Sequence, residues 1–503
     1  MSFARVTSAQ TFLLKPHIVD VEVDITKGLY AFSIVGLPDK AVEEARDRIS
    51  SALKNSDFPS PKSKNQKVVI SLAPAHIKKE GTHFDLAMAI AYLQASEILP
   101  KEKDKNLFIG ELSLDGKIRG VTGVLPLLIE AQQKNFSTVF IPKENEHEAH
   151  ILPHLHCIPV SSLKEIVAHL KEEVVLTPNK QNERASLEYP ETIIDMKDIK
   201  GNARAKRALE IAAAGEHNIA LFGPPGTGKT MLARAFSHIL PPFTDEELLE
   251  TASIHSIAGL FNSQEYALRP FRSPHHTASY VAIVGGGSNP KPGEVTLAHR
   301  GVLFLDEFPE FDRRVIDALR EPLEDKVVSI SRARGSARFP ADFILVAALN
   351  PPSMLNRDGT AVMDELTHNR FKRKISGPII DRIDMWVEVP HIEYSVLGTK
   401  SEQETSKAIR TRVTNARNKQ HARYKKQISN GRIGAKEVEL FIPLDTETKN
   451  LLMEAGKKLK LSARSYHRVQ KLARTIADLE NSPTVSSEHI LEALQYRPTF
   501  LDI

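Results

Sequence analysis

Apolar and polar positions divide the chain into three regimes. In the first, Val19, Val21, Val23 and Ile25 alternate with polar residues, Thr26-Lys27-Gly28 supplies a turn, and Leu29 to Val35 resumes an extended run, the pattern of a β-hairpin. A charged amphipathic helix is predicted after Gly36-Leu37-Pro38-Asp39 through Leu53, and Val68 to Leu72 reads as a buried strand. Phe84 to Leu93 is apolar enough for a core helix. Leu107 to Leu112 reads as a strand and turn, leading through Asp115-Gly116 to a helix over Leu125 to Gln133 and a strand at Val139 to Ile141. Residues 1–170 are therefore expected to form one α+β domain. The polar, turn-rich residues 171–198 read as a linker. In the second regime, residues 199–395, a helix over Ala203 to Ala214 precedes apolar strands alternating with helical patterns, as in a parallel sheet covered on both faces. The third, residues 396–503, is helical in pattern from Ser401 onward, and the fold class is α/β.

One stretch of the second regime carries chemistry at every fixed position. Asn218 to Phe222 is an apolar strand. Gly223-Pro224-Pro225-Gly226-Thr227-Gly228-Lys229-Thr230 then follows G-x-x-x-x-G-K-[ST], ahead of the helix-forming Met231 to Ala235. Glycines let backbone N–H groups wrap phosphate oxygens, Lys229 reaches the outer phosphates, and Thr230 offers a hydroxyl to Mg²⁺. A bare Gly-rich turn would say little; the full octet between strand and helix predicts a site for ATP with Mg²⁺.

Composition narrows the function classes without altering that picture. The 503 residues suffice for several domains, each with its own core. No apolar run approaches the roughly 18 residues of a membrane span, and Met1-Ser2-Phe3-Ala4-Arg5 lacks a signal peptide's apolar region. A cytoplasmic protein without a membrane partner is expected. The one cysteine, Cys157, excludes an internal disulfide framework and a Cys-clustered metal site. A net charge of +4 is too small for this length to argue nucleic-acid binding, which must rest on local clusters.

Hydrolysis needs partners for the phosphate loop. Val302 to Leu305 is an apolar strand ending in Asp306, suited to hold the Mg²⁺ shell, and Glu307, suited to orient or deprotonate the attacking water. A second apolar strand, Phe343 to Leu349, ends at Asn350, whose amide suits the γ-phosphate and the water, although a strand-ending turn residue before Pro351-Pro352 reads equally well. Arg382, in Ile375 to Asp384, suits an arginine finger reaching a neighbouring subunit's γ-phosphate, which requires a ring; alone, an Arg beside two Asp reads as a surface ion pair. Arg464, early in the helix begun by Leu461-Ser462-Ala463, is another cation for the nucleotide.

Order and spacing here resemble one family, the AAA+ ATPases of the Mg-chelatase-like ComM/YifB group. The likeness runs through Asp198-Ile199-Lys200-Gly201, Ala205 to Gly215, Arg272-Ser273-Pro274-His275-His276-Thr277, Gly285-Gly286-Gly287, Pro292-Gly293-Glu294, Ala298 to Glu307, Ser376 to Asp384 and Arg474 to Leu479, essentially the whole chain. The resemblance implies an AAA+ P-loop core over 199–395 and a C-terminal helical lid over 396–503. It implies Asp306 and Glu307 as Walker B, Asn350 as sensor 1, Arg382 as arginine finger and Arg464 as sensor 2, in its own subunit or across the interface. Where family members carry an N-P-C-P-C-G cysteine cluster, this chain has Asn350-Pro351-Pro352-Ser353-Met354-Leu355, so no zinc is expected.

The first domain resembles the Lon-type protease fold that the family carries ahead of its ATPase. Matching Lys79 to Phe84 to the Lon serine motif puts His83 at the nucleophile, and matching Arg119 to Leu125 to the lysine motif puts Leu125 at the base. Both halves of the dyad are missing, which leaves a non-proteolytic binding or assembly module.

Two insertions suit a nucleic-acid pore, where backbone phosphates dominate affinity. Val327 to Leu349 reads as a hairpin with Arg332, Arg334 and Arg338 at and near its tip. Phe271 to Thr277 carries His275 and His276, which can also be a metal pair or a capped turn. From Lys407 to Lys436 run ten Lys/Arg with no Asp or Glu, a solvated helix face or a contact for the DNA backbone. The resemblance implies a homo-oligomer, a hexamer, acting on single-stranded or branched DNA as a branch-migration helicase in the recombination of incoming DNA. A metal-chelatase-type motor subunit remodelling a protein partner is the alternative.

Overall fold

The computed structural model describes residues 2–12, 14–101, 104–178, 194–287, 290–332, 335–350, 354–355, 361–362, 377–391 and 403–497. Most of the linker expected at 171–198 lies outside them, as do Arg334 and Pro351 to Ser353. The chain forms two units, Met1–Leu187 with Leu248–Tyr266, and Glu188–Glu247 with Ala267–Ile503. Residues 248–266, which fall inside the 199–395 core when the chain is divided at its linker, thus belong to the first unit. Ser256 shows why. Its hydroxyl donates to the buried Glu148 carboxylate, and that carboxylate also accepts from Leu125 N at 2.9 Å and Asn145 Nδ2 at 2.8 Å. A buried carboxylate is held by all of its donors together.

The first unit is built on a seven-stranded sheet, β1 (Ser2–Phe12), β2 (Lys15–Lys27), β3 (Ala31–Val35), β4 (Gln66–Ala73), β5 (Asn106–Phe108), β6 (Thr138–Pro142) and β7 (Cys157–Val160), in the order β3-β4-β2-β1-β5-β6-β7. The hairpin expected across Val19 to Val35 does not form. β4 lies between its halves, antiparallel to β2 (Val21↔Leu72) and parallel to β3 (Phe32↔Val68), and the true hairpin joins β1 to β2 from Ser2↔Ile25 to Phe12↔Lys15. β2 thereby gains long ladders on both edges, satisfying more backbone groups than the five-residue β3 could. Helices α1 (Lys40–Asn55) and α2 (Asp85–Ala95) cover the sheet. Every residue of α2 is buried, as its unbroken apolar run requires. Helix α3 (Val124–Gln133) starts at the expected place.

The second unit holds a five-stranded parallel sheet: β8 (Ile219–Phe222), β9 (Phe271–Arg272), β10 (Val302–Leu305), β13 (Ile344–Leu349) and β14 (Met385–Glu388), in the order β9-β10-β13-β8-β14. β10 and β13 are buried along their whole length, as the apolar strands of a doubly covered parallel sheet must be. Between β10 and β13 the hairpin β11 (Val327–Arg332) and β12 (Gly335–Pro340) pairs from Val327↔Pro340 to Arg332↔Gly335. The hairpin expected over Val327 to Leu349 is thus shorter, its last six residues being the sheet strand β13.

Helix α4 (Ala203–Gly215) precedes β8, α5 (Lys229–Ser237) follows it, and α6 (Arg320–Asp325) leads into β11. The C-terminal helices include α7 (Ser406–Tyr424) and α8 (Ala463–Leu479), both packed on α4. Here the basic run from Lys407 to Lys436 is spent in part internally. Arg417 donates to Ala214 O at 3.0 Å and Ala213 O at 2.7 Å, satisfying carbonyls at the end of α4, and pairs with Glu216. Arg412 pairs with Glu210 at 2.6 Å, Arg423 with Asp478, and Arg432 with Asp342 at 2.8 Å. These four cations of the ten fasten the helices to the core, and the charge left for a DNA-backbone contact falls by that much. Among the described residues no helix is long and apolar enough to cross a membrane.

Candidate functional site

In a parallel sheet every strand ends on the same edge, and here that edge gathers the chemistry. Gly223 leaves β8 with its N–H donating to Leu349 O at 3.2 Å, which sets Asn350, the next residue, beside the loop. The glycines serve different ends. Gly226 and Gly228 lie at φ +78° and +88°, a region that favours glycine, with open space where a side chain would stand. At Gly223 a Cβ would fall 2.2 Å from Val389 O. Gly223→Ala is expected to displace the loop and abolish nucleotide binding, read by titration with a fluorescent ATP analogue.

Lys229 opens α5 with only 7% of its surface exposed, and its ammonium donates to Gly223 O at 2.8 Å and Pro224 O at 2.7 Å. Burial lowers its pKa, opposed by the charge of Asp306. Thr227 Oγ1 donates to Pro224 O at 3.1 Å, so Pro224 O anchors both side chains, and Pro225 lies between it and the first left-handed glycine. Thr230 Oγ1 donates to Asp306 Oδ2 at 3.0 Å, and Asp306 Oδ1 accepts from Glu307 N at 2.9 Å. A hydroxyl and a carboxylate this close are the oxygen donors an octahedral Mg²⁺ shares with phosphate, so the residues fit that ion. Glu307 has φ +51°, which turns its side chain sharply off the end of β10.

His276, a DNA-contact candidate in the sequence, stands beside this cluster. Its Nδ1 lies 3.1 Å from Glu307 Oε2, and its ring lies tilted against that of His275 with centroids 4.2 Å apart. The parallel register explains the meeting: Arg272 faces Leu303, and four residues further along each chain stand His276 and Glu307. Knowing that β9 neighbours β10 would have revealed the pair in the sequence. His275 Nδ1 is 2.8 Å from Thr277 Oγ1, the capped-turn alternative. Of the hairpin arginines, Arg338 is exposed opposite Ser329, Arg332 closes the ladder through its backbone, and Arg334 lies outside the described residues.

Arg382 and Arg464 are brought together, but away from this edge. Arg382 precedes β14, and Asn218, which precedes β8, donates through Nδ2 to Arg382 O at 3.0 Å. Both therefore sit at the beginning of the strands, separated from the phosphate loop by the length of β8, about 13 Å at 3.3 Å per residue. Arg382 pairs there with Glu324, and Arg464 lies 3.5 Å from the same carboxylate. Asn218 and Glu324 were not legible as site residues; a paired acid just ahead of the hairpin was the available signal for Glu324.

Models of magnesium-chelatase subunit ChlI match residues 21–145, 195–397 and, for its C-terminal part, 403–497. The competence protein ComM of Haemophilus influenzae is 42% identical over 99% of this chain and 98% of its own length. The chain belongs to the Mg-chelatase-like ComM/YifB family. YifB of Escherichia coli is 41% identical over 95% of this chain and 94% of its own length. Membership makes the chain an AAA+ ATPase with a competence-related relative, and implies ATP and Mg²⁺.

Lon protease 2 of Bacillus subtilis is 25% identical over 42% of this chain and 44% of its own length. The fold is that of a Lon-like domain ahead of an AAA+ core and a helical C-terminal part. His83 Nε2 lies 3.1 Å from Thr122 O, so the two motifs matched to the proteolytic dyad are neighbours in the first unit, with buried Leu125 three residues on. Burial lowers the His83 pKa.

Proposed function

We propose that the chain is the subunit of an ATP-driven, ring-forming DNA motor, a hexameric branch-migration helicase acting when incoming DNA recombines with a chromosome. One observation carries the ring: Lys229, Thr230, Asp306 and Glu307 stand at one edge of the sheet, while Arg382 and Arg464 meet at the opposite edge. A second copy is needed to close such a site. Mg²⁺, when bound, would offset the charge of the phosphates. In this reading Lys229 holds the outer phosphates, and Thr230 with Asp306 would hold the ion. Glu307 takes the proton of the attacking water, Asn350 orients that water, and Arg382 with Arg464 meets developing charge from the neighbouring subunit.

Full-length similarity to a competence protein supports DNA as the substrate, and Arg338, exposed on a hairpin beside the ATPase sheet, supplies a cation for its backbone. The first unit is a binding or assembly module. ATP hydrolysis measured side by side with single-stranded, duplex and branched DNA tests the reading. Branched DNA is expected to stimulate most, with an effect that falls as salt rises; indifference to all three contradicts it. The chelatase-type alternative draws on the ChlI models, yet the sequence lacks a D-x-S-x-S metal-adhesion segment. Salt-insensitive failure to bind DNA would favour that alternative.

A further inference from the structure

We propose that Glu324 is a positioning residue that holds Arg382 and Arg464 on their own chain and releases them when the hairpin β11–β12 moves. The inference rests on the reading of Arg382 as an arginine that serves a neighbouring copy's triphosphate. One Glu324 oxygen takes Arg382 Nη2, and the other lies 3.5 Å from Arg464 Nη1.

The backbone around Arg382 is fixed. Asn218 N donates to Asp384 Oδ2 at 2.9 Å, Asn218 Nδ2 to Arg382 O at 3.0 Å, and Arg468 Nη1 to Ile383 O at 3.1 Å. Only the side chain is left to turn. It is 16% exposed, with Nη1 donating to Pro378 O at 2.7 Å and a buried Nε without a partner. Among the described residues this guanidinium has one strong charged partner, and exchanging it for phosphate oxygens gains a bidentate acceptor.

Glu324 is equally tied to the hairpin. It lies in the last turn of α6, and Lys326 alone separates Asp325 from β11. Ala341 N, just past β12, donates to Lys326 O at 2.8 Å, and Ser329 N donates to Glu321 Oε2 at 3.2 Å. Lys326 Nζ donates back to Leu323 O at 3.0 Å. Both feet of the hairpin are thus anchored on the helix that carries the carboxylate. A load on the hairpin displaces Glu324, and its two guanidinium partners lose their hold together. Because the carboxylate is 47% exposed, water screens the pairs and the exchange is easily reversed.

Glu324→Gln keeps the shape and removes the charge. In the assembled protein its DNA-free turnover of ATP is expected to rise about fivefold, with KM unchanged and the ratio of DNA-stimulated to DNA-free turnover falling towards one. Glu324→Asp, with the charge kept on a shorter side chain, is expected to fall between the two. In a background carrying both Arg382→Ala and Arg464→Ala, residual hydrolysis under single-turnover conditions is expected to be indifferent to Glu324→Gln, because the coupling runs through those two guanidiniums. Wild-type DNA-free turnover and stimulation in Glu324→Gln would overturn the proposal, as would an equal effect in both backgrounds. Normal hydrolysis by Arg382→Ala would remove the trans-acting reading and this inference with it. The failures are distinguishable, because the first two leave Arg382→Ala inactive.

Discussion

Arg382→Ala is expected to lower ATP turnover about 10³-fold or more, the usual worth of an arginine finger, while nucleotide affinity stays within about twofold. The reason is positional. Arg382 stands before β14, with its carbonyl held by Asn218 at the start of β8, and the phosphate loop leaves β8 at the other end. Within one chain the guanidinium has no route to Lys229 and Thr230, so its loss cannot weaken the grip of its own loop on ATP. Mixing inactive Arg382→Ala with Lys229→Ala subunits sharpens the test. Each variant lacks what the other supplies, so mixed rings are expected to recover hydrolysis at interfaces pairing an intact loop with an intact arginine. Arg382→Ala turning over ATP normally would contradict the shared site, although the loop assignment would stand.

Glu307→Gln is expected to lower turnover by about 10²–10⁴-fold and to leave ATP bound. The carboxamide cannot take a proton from water, yet it retains an oxygen for His276, whose Nδ1 lies 3.1 Å from the native carboxylate. Asp306 keeps its bond from Thr230 at 3.0 Å, so the oxygen pair suited to Mg²⁺ is untouched. Lys229→Ala should behave differently, losing affinity as well as turnover, because its ammonium is the cation built into the loop. A rapid-quench measurement of bound ATP separates the two. Equal loss of binding in both variants would contradict the assignment of Glu307 to the chemical step.

What the sequence made legible follows from how local each determinant is. The octet Gly223 to Thr230 and the acids ending β10 depend on neighbours within a few residues, and a parallel sheet then brings strand ends together by geometry alone. Pairing partners are another matter. Alternation announced β2 and β3 as strands, but nothing local says that β4 will come between them. The His276–Glu307 contact depends on β9 being the neighbour of β10, and the shared carboxylate of Arg382 and Arg464 joins residues far apart in the chain. Charge runs are hard to read for a related reason. From Lys407 to Lys436 the chain contains no acid, while Glu210, Glu216, Asp342 and Asp478, which pair with its arginines, come from elsewhere in the sequence. Local sign does not reveal which cations will be consumed by folding.

The central claim is that ATP hydrolysis at Gly223 to Thr230, completed by a neighbouring Arg382, moves branched DNA. The most direct measurement follows a labelled four-way junction with the purified protein, ATP and Mg²⁺, beside Lys229→Ala and Arg382→Ala. Resolution of the junction by the wild-type protein, absent from both variants and without ATP, is the predicted result. An intact junction despite undiminished ATP hydrolysis by the wild-type protein would contradict the account.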